Sequence, residues 1–108
     1  MSINAFMATG NTVALTVSTS AHTPVQVSGG TGGSSCYMVY NSGPNTAFLV
    51  GAATAANAVI PTDGTPANGI PIPSATVLYW TSAPNAYWSA ICAATQSATV
   101  YITPGDGK

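Results

Sequence analysis

Residues 75–93 read ATVLYWTSAPNAYWSAICA. Two runs rich in Val, Leu, Tyr, Trp and Ile flank Ser82-Ala83-Pro84-Asn85, and β-branched and aromatic runs broken by turn formers are the pattern of strands joined by a turn. Strands are expected over 75–81 and 86–93, and their pairing as a hairpin is one arrangement the turn allows. Adjacent residues of a strand point to opposite faces. In each of the pairs Tyr79/Trp80 and Tyr87/Trp88, one ring therefore fills a core and the other is free to lie outside. Hairpin pairing would bring the four rings close together across the ladder.

The same reading extends over the whole chain. Further strands are expected over 3–8, 12–18, 24–28, 35–41, 46–51, 58–60 and 98–103. Val13, Leu15 and Val17 share one face against Thr12, Ala14 and Thr16, and Val100 and Ile102 oppose Thr99, Tyr101 and Thr103. Cys36-Tyr37-Met38-Val39-Tyr40 is apolar on both faces, which suits a strand covered on both sides or an aromatic rim at an interface. Asn41-Ser42-Gly43-Pro44-Asn45 reads as a tight hairpin connection, so its flanking strands are expected to pair. Gly29-Gly30-Thr31-Gly32-Gly33 reads as a flexible loop. Residues 61–73 hold four prolines with Asp63-Gly64 and Asn68-Gly69, a surface excursion unable to sustain a ladder. The Ala-rich residues 52–58 are read as loop. About eight or nine short strands at this spacing imply an all-β fold, an antiparallel β-sandwich of which the jelly roll is one form, with an incomplete barrel as the alternative.

Composition narrows the function. Of 108 residues only Asp63, Asp106 and Lys108 are charged, and hydrophobic types make up 46%. An ordinary soluble domain draws about 25% of its residues from the charged types. Ser, Thr, Asn, Ala and Gly take their place, groups that pack against another protein with little desolvation cost. The chain reads as a component of an assembly. Its length suits a single domain over 1–108, and its start lacks the features of a secretory signal. No stretch approaches the ~18 apolar residues of a membrane span, so a soluble, cytoplasmically made protein is expected. Cys36 and Cys92 have no metal-type spacing and read as buried thiols, with a disulfide possible only if their strands adjoin.

Catalysis needs titratable groups in proximity, and the inventory is short. His22 is the single imidazole, with no carboxylate near it in sequence to orient it. Asp63 and Asp106 each precede glycine and read as turn residues, a poor glycosidase pair and too few for a calcium cage. The Gly29–Gly33 loop lacks the Lys-Ser/Thr ending of a phosphate-binding loop. One lysine and no arginine cannot neutralise a nucleic-acid backbone. A non-enzymatic protein without cofactor or metal is therefore expected. The aromatic residues are the remaining positive feature: Tyr79, Trp80, Tyr87 and Trp88, with Tyr37 and Tyr40 on a separate strand. They either complete a small core, bind a partner subunit or stack on a sugar ring.

VYNSGPNTAFLVGA (39–52), IPIPSATVLYW (70–80), AYWSAICAA (86–94) and the closing SATVYITPGDG (97–107) resemble small structural proteins of tailed bacteriophages, described as head decoration, cement or minor virion proteins. The resemblance spans residues 36–107, about two thirds of the chain. It implies a β fold in a virion and carries no catalytic or ligand residue. The function it implies is that of a capsid decoration protein, assembled in the host cytoplasm and bound in many copies to the major capsid protein and to copies of itself as a dimer or trimer. The alternation Ile3, Ala5, Met7 suggests that residues 1–8 form an extended arm able to add a strand to a neighbour, with Ile3 and Phe6 as candidate interface residues. The alternatives are a glycan- or receptor-binding module of a fibre, spike or tail, and a tail or neck component.

Overall fold

The computed structural model describes residues 6–27 and 36–106. Among these residues there is no helix, and nine strands form two antiparallel sheets. They are β1 (Met7–Ala8), β2 (Val13–Val17), β3 (Val25–Gln26), β4 (Cys36–Pro44), β5 (Ala47–Ala52), β6 (Ile70–Ile72), β7 (Thr76–Thr81), β8 (Tyr87–Ile91) and β9 (Ala98–Asp106). The first sheet runs β1-β9-β4-β7, with β2 beside β1 on the same flank of β9, and the second runs β3-β8-β5-β6.

The pairing pattern identifies the topology. β2 pairs with β9, β3 with β8, β4 with β7 and β5 with β6, which is a two-stranded ribbon closed at β5–β6 and rolled up. Rolling brings β4 against β9 and β5 against β8. From β2 onward every connection except β5–β6 crosses between the sheets, the arrangement of a jelly roll. The expected sandwich is observed, and several local expectations within it are corrected.

Residues 41–45 do not close a hairpin, because β4 and β5 lie in different sheets. Asn41 is fully buried at this corner. Its Nδ2 donates to the carbonyls of Asn45 (2.9 Å) and Ile72 (2.8 Å), and its Oδ1 accepts from the Gly43 N–H at 2.8 Å. Gly43, at φ +90°, follows a register shift in β4, and a Cβ there would run into the Ser74 hydroxyl. These bonds turn the chain from one sheet into the other. The second correction concerns β7 and β8, which also lie in different sheets. Their rings do not meet across a ladder. Instead Trp80 and Trp88 meet through the interior, with centroids 5.3 Å apart and edge to face.

The core follows the period of two read from the sequence. Leu15, Val17, Tyr37, Val39, Val100 and Ile102 point inward from the first sheet, and Leu49, Ile72, Trp88 and Ala90 from the second, all fully buried. Trp88 lies over Gly51, where a Cβ would overlap its ring at 2.5–2.7 Å. Tyr37 packs on Trp88 at 5.0 Å. Its hydroxyl donates to the Ala83 carbonyl (2.8 Å) and accepts from the Ala86 N–H (3.0 Å), fixing the β7–β8 connection.

Proline explains two differences in strand placement. The expected strand at 58–60 is a loop, and the pairing segment is Ile70–Ile72 within the predicted excursion. β6 is an edge strand, where the missing N–H of Pro71 costs no ladder bond. β9 runs through Pro104 to Asp106, so Asp106 belongs to a strand and not to a turn. The Pro104 carbonyl accepts from the Thr9 N–H at 3.0 Å, so its nitrogen faces the interval where β1 gives way to β2. The Asp63-Gly64 turn is as expected, closed by reciprocal bonds between Thr62 and Thr65, and residues 53–58 form no helix. The Gly29–Gly33 loop and Ile3 lie outside the described residues. Of the expected arm, Met7–Ala8 pairs with Asp106 and Gly105 of its own chain, so residues 6–8 are docked and not extended.

Candidate interaction surface

The sandwich has two outer faces of different character. On the second sheet, Phe48 and Val50 of β5 and Tyr87, Ser89 and Ile91 of β8 point outward. Loops of the chain lie over part of this face, leaving Phe48, Val50, Tyr87 and Ile91 half-buried. Ser89 is fully buried. Its hydroxyl donates to the His22 carbonyl (2.7 Å) and accepts from the Ala58 N–H (3.0 Å), tying two loops onto the face. The loop 53–69 is held further by Asn68, whose Oδ1 accepts from the Val59 N–H and whose Nδ2 donates to the Asn57 carbonyl. Gly69 fits so closely on Phe48 that a Cβ would stand 2.9 Å from it.

The outer face of the first sheet is less covered among the described residues: Phe6 crosses one end, where Thr103 is buried at 6% exposure. Strand register arranges its side chains in rows. One row is Val77, Tyr40, Tyr101 and Ala14, and the next is Tyr79, Met38 and Thr103. Val77 is 47% exposed, Tyr79 46% and Tyr101 38%, while Met38 and Tyr40 are half-buried. Tyr40 and Tyr101 lie nearly parallel with centroids 6.2 Å apart. Thr103 and Thr12 share a hydroxyl hydrogen bond of 2.7 Å. Phe6 crosses the end of the sheet, over Gly105, to reach Tyr79 at 5.5 Å. The rows contain aromatic rings, a thioether, methyls and hydroxyls, and no charged residue.

The sequence candidates thus separate. Tyr79 is exposed on the open face, with Tyr40 and Phe6 half-buried beside it. Trp80 is half-buried and turned inward, and Tyr87 is half-buried on the opposite, covered face. Tyr37 and Trp88 are fully buried and are corrected from candidate interface to core, because both sit at inward positions of interior strands. The expectation that one ring of each adjacent pair fills the core holds, with Trp80 and Trp88 the inner members. Sequence reasoning missed Val77, Met38 and Tyr101 as surface residues. The alternation of 99–103 already placed Tyr101 opposite Val100 and Ile102, but its neighbours on the face depend on which strands flank β9.

Titratable groups are scattered. The His22 ring bonds the Thr23 carbonyl through Nδ1 at 2.8 Å, while Ser89 meets the backbone of His22 and not its ring. Asp63 is exposed on its turn. Both cysteines are free, Cys92 buried and Cys36 half-buried, so the disulfide alternative is excluded and the expectation of two buried thiols holds only for Cys92. Burial pushes the Cys92 thiol above its ordinary value. Among the described residues no three His, Cys, Asp or Glu side chains come together. A cleft of about 230 Å³ lies between the free edges of β7 and β6, lined by Ile70, Leu78, Tyr79, Trp80 and Thr81. Comparison with protein-family models, curated proteins and solved structures found no match.

Proposed function

We propose that this chain is a non-enzymatic structural protein of a bacteriophage virion, a decoration protein that binds the capsid lattice in many copies and stabilises it. The observation that carries this reading is the outer face of the first sheet: four strand positions wide, apolar and hydroxylated, and, among the described residues, without charge and more exposed than the opposite face, over which two loops lie. β2, β9, β4 and β7 are five, nine, nine and six residues long, which at ordinary strand spacing gives a footprint on the order of 450 Å². That is roughly half of the ~800 Å² per partner of a specific interface. Apolar patches of this size on a soluble chain mark interaction sites. A lattice then multiplies a modest single-site affinity through many copies. Jelly rolls serve in viral capsids, in lectins and in cupins, so the topology by itself does not choose among functions. The virion setting comes from the sequence resemblance, and the docking face from the geometry.

The test is quantitative composition and imaging of purified particles from the source that makes this chain. Hundreds of copies arrayed on an icosahedral shell, with particles turning fragile once the protein is stripped, support the proposal. A few copies at one vertex or along the tail favour a fibre, spike or neck component. Absence from particles rejects the virion reading altogether.

A further inference from the structure

Beyond the face, the edge of the first sheet has a property the other sheet edges lack. β6 is three residues long and carries Pro71. β3 is two residues long. The β1/β2 flank is interrupted between Ala8 and Val13, and the core-facing Leu15 and Val17 of β2 are fully covered. β7 differs on every count. It is six residues of TVLYWT, without charge, Pro or Gly. It pairs in unbroken register with β4 alone. Among the described residues its other edge makes no backbone hydrogen bond. Natural proteins blunt such edges with Lys, Pro, bulges or a covering segment, because an open edge templates pairing with another strand. Here the side chains at the edge are also uncovered: Leu78, turned toward the interior opposite Val39, is still 38% exposed, and with Ile70 at 48% it rims the cleft.

We infer that β7 pairs with β7 of a second copy about a twofold axis, joining two first sheets into one continuous sheet. A second copy fits for three reasons. An antiparallel pair of identical strands is self-complementary, and a register in which odd residues oppose odd residues keeps the interior and outer sides of both sheets aligned. The register that covers all four cleft-lining residues of β7, Leu78 to Thr81, is centred on Tyr79. It sets Leu78 opposite the second copy's Trp80, so each copy closes the other's cleft with apolar groups. Finally, neither strand carries a charge that would meet its own like across the axis. The inference goes beyond the proposed function, stands on the edge geometry, and requires no virion.

The test uses the purified full chain. Sedimentation velocity over a concentration series is expected to show a monomer–dimer equilibrium. Leu78→Lys, which puts an ammonium group into the cleft on the pairing edge, is expected to weaken the dimer by at least roughly tenfold. Thr81→Lys, at an exposed position of the same edge, tests the same contact should Leu78→Lys fail to fold, as judged by circular dichroism. In a Cys36→Ser background, Tyr79→Cys is expected to give a disulfide-linked dimer on mild oxidation, since opposed residues stand about 4.5–5.5 Å apart at Cα. Thr16→Cys, on the far edge, is expected to stay monomeric in non-reducing gels. A monomer at every concentration, or a dimer unchanged by both lysine variants, overturns the inference. Particle binding by a chain that is monomeric throughout would reject the edge pairing and leave the decoration proposal standing.

Discussion

The two outer faces of this sandwich are built from similar strands and treated in opposite ways. The second sheet turns Phe48, Val50, Tyr87 and Ile91 outward and spends two loops, pinned at Ser89, on covering them. The first sheet turns Val77, Tyr79, Met38, Tyr40 and Tyr101 outward and leaves three of the five exposed. A chain with three charges in 108 residues cannot mark a face as solvent or partner by charge. Cover by its own loops is the signal that distinguishes them. The difference teaches that hydrophobic character alone does not separate the two faces; among the described residues, the presence or absence of a local covering segment does.

The comparison can be attacked at four places. The deepest is the core beneath both faces, where Trp88→Ala removes the largest fully buried side chain. A stability loss of about 3–5 kcal/mol is expected in urea denaturation, and a loss below that of the surface changes would show that inside and outside have been misassigned. Ser89→Ala attacks the covered face. It leaves the buried Ala58 N–H and the His22 carbonyl without their partner, at about 1–3 kcal/mol. Proteolysis within residues 53–69 should quicken before global unfolding. Tyr101→Ser attacks the open face, giving up a ring stack and the buried part of a side chain that is 38% exposed, together about 1–3 kcal/mol. Its stability change should be comparable to that of Ser89→Ala, while its effect on partner binding should be larger. The smallest effect belongs to Thr95→Gly. Thr95 holds φ +63° in the turn closed by the Gln96 N–H to Ala93 carbonyl bond, a conformation that a β-branched residue adopts at a cost. Glycine there should stabilise by up to about 1 kcal/mol in thermal unfolding, net of its own entropy cost, and leave binding at both faces unchanged.

Much of this fold was legible from period-two patterning, because the same alternation that marks a strand also assigns its inner and outer side chains. Val13, Leu15 and Val17 are on the inner side as read, and so are Val100 and Ile102. Strand pairing was not legible in the same way. Asn41-Ser42-Gly43-Pro44-Asn45 carries the residues of a hairpin turn, yet Asn41 is committed to the Ile72 carbonyl 31 residues away, a contact with no local signature. The Ser82–Asn85 connection fails as a hairpin for a related reason, since the Tyr37 hydroxyl holds it from another strand. Tyr37 and Trp88 look in sequence like Tyr40 and Tyr79. What separates them is position within the rolled ribbon, which follows from pairings across the whole chain. The open face was half legible: its outward residues were readable strand by strand, and their assembly into rows required the order β2-β9-β4-β7.

The most direct measurement compares the two faces in binding. Purified chains carrying Tyr101→Ser or, at an exposed position on the outer side of the second sheet, Gln26→Ser would be titrated onto particles stripped of the native protein, with bound copies counted per particle. Loss of binding by Tyr101→Ser, with Gln26→Ser binding like the unmodified chain, is the predicted result. Equal binding by both variants, or loss confined to Gln26→Ser, would contradict the claim that the uncovered face of the first sheet is where this protein meets its partner.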